Sequence, residues 1–143
     1  MRWLLGVLAW FALSCGSGRT PLRLGEGVSG SLSMDDSCWT SCDSPPPGQT
    51  PTCAGGCSDK YDIDVTAGAS FTVTFGAGTS PEVQFEDLED GNITDRKGGG
   101  GNTVGASLTP AKWVPRKSGT NRVGVYALTD FLPANYTLTV TKD

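Results

Sequence analysis

Apolar and polar positions alternate along most of this chain. Over 59–66, Tyr61, Ile63 and Val65 point one way, and Asp62, Asp64 and Thr66 point the other. That two-residue period predicts a half-buried strand. The same period sets Phe71, Val73 and Phe75 inward over 70–75. After Pro81 it sets Val83 and Phe85 inward, with Glu82, Gln84 and Glu86 outward. Leu88 breaks that parity, which predicts a bulge or the end of the strand. Val28 and Leu32 share a face in 25–33, as do Val104, Ala106 and Leu108, and then Ala111 and Trp113. Val123, Val125 and Ala127 align over 121–128, and Tyr136, Leu138 and Val140 oppose Thr137, Thr139 and Thr141 over 135–141. Turn signals at Ala67-Gly68-Ala69, Asp90-Gly91 and Ser118-Gly119 separate these runs. Gly98 to Gly101 predicts a flexible loop at one end of the domain. About seven to nine short, evenly spaced strands predict an all-β, antiparallel sandwich or barrel over 25–143.

The start of the chain reads differently. Arg2 precedes an apolar run from Trp3 to Leu13 that is shorter than the roughly 20 residues a bilayer span needs. Its length suits the core of a signal peptide over 1–14, with Ala12 and Ser14 as the small residues before the cut. A buried N-terminal helix is the rival reading, but the run is apolar all round and not amphipathic. Ala12-Leu13-Ser14-Cys15 also resembles a bacterial lipobox. That resemblance implies acyl chains on Cys15 and a lipid bilayer as partner. With Gly16 following rather than Asp, it implies the outer membrane as destination, with plain secretion or a periplasmic location as alternatives. Residues 15–24 would then be a flexible tether.

The remaining cysteines, Cys38, Cys42, Cys53 and Cys57, lie in a segment over 34–58 that reads as an insertion. Lipidation of Cys15 accounts for the odd count of five. Four cysteines allow three pairings. Antiparallel register favours Cys38 with Cys57 and Cys42 with Cys53, because the two pairs step inward equally around Pro45-Pro46-Pro47-Gly48. Four-thiolate zinc is the rival; such sites more often use a two-residue spacing, and export favours disulfides.

Composition narrows the chemistry. Histidine is absent, which removes Ser-His-Asp and Cys-His catalysis and histidine-ligated metals. The net charge of −4 and the absence of a basic stripe exclude nucleic acid as the expected partner. Asp35, Asp36, Asp43 and Asp59 flank the cysteine segment and are weak calcium candidates; no other cofactor is expected. Glu82, Glu86, Asp87, Glu89 and Asp90 form an acidic patch. A carboxylate hydrolase would need one of a pair buried, and the pattern reads as solvated. Trp113 is expected in the core. Trp39 either packs on the disulfides or contacts a ligand such as a sugar ring. Gly98 to Gly101 lacks the Lys-Ser/Thr and helix of a phosphate loop.

Four segments together resemble the bacterial pre-peptidase C-terminal domain family. They are Gly25-Glu26-Gly27-Val28-Ser29-Gly30-Ser31-Leu32, Asp59 through Gly68, Ser118 through Val125, and Ala134 through Val140. The resemblance covers most of 21–143. It implies a jelly-roll-like antiparallel β-sandwich that does no chemistry and sits beside secreted hydrolases. The cysteine segment is not part of the family pattern, and Asn121 stands where an aromatic is usual. No hydrolase accompanies the domain in this chain. The expectation is therefore a stand-alone, non-catalytic binding or surface module, lipid-anchored in the envelope, with an envelope protein or glycan as partner. A carbohydrate-binding accessory module is the second reading, and a small carboxylate-dependent hydrolase the third.

Overall fold

The structure, a computed structural model, describes residues 19–143. The segment 1–14, expected as a signal, and Cys15, expected to carry the lipid, lie outside the described residues. Twelve strands follow in order: β1 (Arg19–Pro21), β2 (Val28–Leu32), β3 (Ser37–Cys42), β4 (Cys53–Val65), β5 (Phe71–Phe75) and β6 (Gln84–Asp87), then β7 (Asn92–Thr94), β8 (Gly100–Gly101), β9 (Thr103–Gly105), β10 (Ala111–Val114), β11 (Gly119–Leu128) and β12 (Ala134–Lys142). Single 3-10 turns lie at Ala106–Leu108 and Thr129–Phe131. Among the described residues, no helix is long and apolar enough to cross a membrane.

The strands form two six-stranded sheets. The first runs β1-β4-β11-β6-β9, with β3 also on β4. β11 covers one edge of β4 from Gly56 to Val65, so β1 and β3 share the other edge in tandem. The second runs β2-β12-β5-β10-β7-β8. All pairings are antiparallel except β1 with β4.

The alternation explains the sandwich. Tyr61, Ile63, Val65, Phe85, Val104, Val123, Val125 and Ala127 from the first sheet meet Leu32, Phe71, Val73, Ile93, Trp113, Tyr136, Leu138 and Val140 from the second. Burial of this apolar surface is what drives the two sheets together. Trp113 sits at the centre, its ring 5.6 Å from Phe71 and 5.7 Å from Phe85.

Three expectations need correction. Residues 19–24 are not free tether: β1 pairs with Lys60, Tyr61 and Asp62, and Leu22 is buried in the core. Two leucines, Leu22 and Leu24, are too few to establish a period. The disulfide-stapled segment over 34–58 continues the first sheet. Its second arm is the first half of β4, and β11 pairs with it as far as Gly56. Gly98 to Gly101 is not open loop, because Gly100 and Gly101 pair with Thr94 and Ile93. Asp95 closes that hairpin by accepting the Lys97 and Gly99 amides. Val104, Ala106 and Leu108 do not share one strand, since the chain turns into a 3-10 turn at Ala106.

Candidate functional site

The outer face of the first sheet carries a groove. On β11, Val123, Val125 and Ala127 point into the core, so Arg122, Gly124, Tyr126 and Leu128 lie on the opposite face. Gly124 pairs with Lys60 on β4 and with Glu86 on β6. Lys60 and Glu86 thus flank a position with no side chain, and no ion pair joins them among the described residues. One step along, Tyr126 lies between Ser58 and Gln84 and donates its hydroxyl to Gln84 Oε1 at 2.9 Å.

Trp39 closes one end. Cys38 and Cys42 point to one side of β3, and Ser37, Trp39 and Ser41 to the other. Trp39 pairs with Gly56, and its six-membered ring lies over that glycine. A Cβ at Gly56 would come within 2.4 Å of Trp39 Cη2. The indole meets Tyr126 edge to face at 5.7 Å and stays 42% exposed. Both disulfides take the pairing that register favours, Cys38–Cys57 and Cys42–Cys53, directly across β3 and β4. They tie β3 to β4 from the face opposite Trp39, at the residue before it and again three residues after it. Trp39, Lys60, Glu86, Gly124 and Tyr126, together with neighbouring residues of β3, β4 and β11 and with Leu88, line a groove of about 480 Å³.

Charge in the groove is balanced. Burial pushes the Glu86 carboxyl above its ordinary value, and Asp87 adds to this, while Lys60 opposes it. Burial also pushes the Tyr126 hydroxyl up, so it remains a neutral donor.

The expected metal and acid sites are not assembled. Asp36 accepts the Ser33 amide, Asp43 the Thr52 amide, and Asp59 the Tyr136 hydroxyl, while Asp35 is exposed. Three of the four are engaged by hydrogen bonds within the fold, and the four do not converge on a calcium site. No cluster of three acidic or cysteine ligands occurs among the described residues. The acidic patch is not uniformly solvated either. Asp87 points inward, is 1% exposed, and accepts Trp113 Nε1 at 2.6 Å and the Glu89 amide at 2.7 Å. Glu86 and Asp87 therefore occupy opposite faces of the sheet and cannot flank one scissile bond. Glu89 pairs with Arg122 and Lys117.

Of the residues singled out from sequence, Trp39 reaches the groove, and Glu86 joins it from the acidic patch. Lys60, Gly124, Tyr126 and Gly56 were missed. A signal for Gly124 and Tyr126 did exist: both take outward positions in a strand whose inward positions from Val123 to Ala127 are apolar. The fold and groove define a disulfide-braced β-sandwich with an aromatic-walled surface site. No protein-family model matches the chain, and neither the curated proteins nor the solved structures include a significant match.

Proposed function

We propose that the protein is an exported, non-catalytic binding module whose ligand face is the Trp39 groove. On this reading acyl chains on Cys15 hold it at the outer membrane, and its partner is an envelope component. The observation that carries the reading is a large aromatic left exposed, yet fixed by two disulfides and a glycine contact. An exposed indole so restrained loses little further freedom when it takes a partner. The disulfides themselves require an oxidising compartment, which agrees with the signal-like start. The resemblance to pre-peptidase C-terminal domains fits a module without chemistry of its own.

Two measurements test this. Intact mass of the protein from membranes of its native host should begin at Cys15, carry acyl chains, and rise by four hydrogens on reduction. A soluble, unacylated product would remove the anchor. Separately, the unlipidated Cys15→Ser chain should be retained by isolated envelopes, and Trp39→Ala should lower that retention at least tenfold. Equal retention of both chains would remove the groove as the ligand face.

A further inference from the structure

Resting on the groove reading, the geometry points to a sugar ring of an uncharged glycan as the ligand, stacked against Trp39 and spread over Gly124. The floor decides against a peptide. β11 lies between β4 and β6, and at Gly124 and Tyr126 both its edges are already paired. No free backbone N–H or C=O is offered there for strand addition. The charge pattern decides against an ionic ligand. Lys60 stands on one side of Gly124 and Glu86 on the other, and each would oppose one sign of ligand charge.

What remains complementary is a flat body with one apolar face and a rim of hydroxyls that both donate and accept. A pyranose has that form. Its axial C–H bonds meet the negative face of an indole. Its hydroxyls find a donor in Lys60 and an acceptor in Glu86. Those two stand two strand spacings apart, about 9.5 Å, which a hexose with its hydroxyls can bridge. Gly124 is the position that makes the room. A Cβ there meets nothing closer than Asp59 O at 3.9 Å, so the backbone accepts a side chain that the groove would not.

The test uses the unlipidated Cys15→Ser chain on isolated envelopes and on a printed oligosaccharide array. Envelopes oxidised with periodate should lose Trp39-dependent retention, and protease-treated envelopes should keep it. On the array, Trp39→Ala and Gly124→Leu should each lower binding at least tenfold with unchanged circular dichroism, and Trp39→Phe should keep most of it. Retention that survives periodate and is lost to protease would overturn the glycan assignment while leaving the groove as a protein-binding face. Retention indifferent to Trp39 would overturn both.

Discussion

Asn121 is the polar residue most at odds with its surroundings. It is 1% exposed, and its Nδ2 has no hydrogen-bond partner among the described residues. A buried amide donor left unpaired costs about 1–3 kcal/mol. Asn121→Leu, of similar shape, should therefore raise stability by about 1 kcal/mol in urea unfolding; a loss would mean that the amide has a partner in solution. Asp59 presents a second case. Tyr136 donates to its Oδ2 at 2.5 Å, and Tyr61 in turn donates to the Tyr136 oxygen at 2.5 Å. Burial pushes the Asp59 carboxyl above its ordinary value, partly opposed by that hydrogen bond, and Asp36 adds repulsion. A carboxyl raised in the fold binds its proton more tightly there than in the unfolded chain. Its contribution to stability thus falls as pH rises from the ordinary carboxylate range through the folded-state value. Asp59→Asn can still accept the Tyr136 proton and cannot ionise. Thermal midpoints should move in favour of Asp59→Asn between about pH 4 and pH 7. A constant difference between the two proteins would count against a raised Asp59.

At the scale of elements, β3 is a long strand with little burial to support it. All six of its residues are exposed, and its one sheet partner is β4. The two disulfides hold it covalently, across 19 and 11 residues of chain. Native disulfides of such spans typically contribute about 3 kcal/mol each. They are not equivalent here, because Cys57 is fully buried whereas Cys42 and Cys53 are exposed. Replacing Cys38 and Cys57 by Ser should cost more than replacing Cys42 and Cys53, since a buried hydroxyl then replaces a buried sulfur. Equal midpoints in guanidinium would contradict that ranking. The contrast with β1 is instructive. β1 is only three residues long, yet Arg19 pairs with Asp62, and Leu22, just beyond it, is buried.

For the molecule as a whole, one apolar core joins both sheets, and it includes residues from nine of the twelve strands as well as Leu22. A single shared core predicts one cooperative unfolding transition. Near-ultraviolet circular dichroism from Trp113 and far-ultraviolet signal should then coincide in urea. On reduction, emission from the exposed Trp39 should depart first, as β3 loosens while the β signal remains. A biphasic transition in the oxidised protein would show that the β3 hairpin unfolds independently.

Alternation was enough to identify the core strands β5, β10, β11 and β12, the second half of β4, and their inward faces, because a period of two is a local property of the chain. The disulfide pairing was legible for the same reason: antiparallel register is arithmetic on residue numbers. Other features depend on which strands become neighbours. Leu22 reaches the core only because β1 lies along β4. Asp87 is buried only because Trp113 arrives from the other sheet with a donor. Lys60, Gly124 and Glu86 lie on three different strands, and only sheet formation sets them side by side. Trp39 was visible as a candidate from its isolation among polar residues and cysteines. That it stands over Gly56 against Tyr126 was decided by tertiary structure, since contact between residues so far apart in the chain is set by packing and not by local preference.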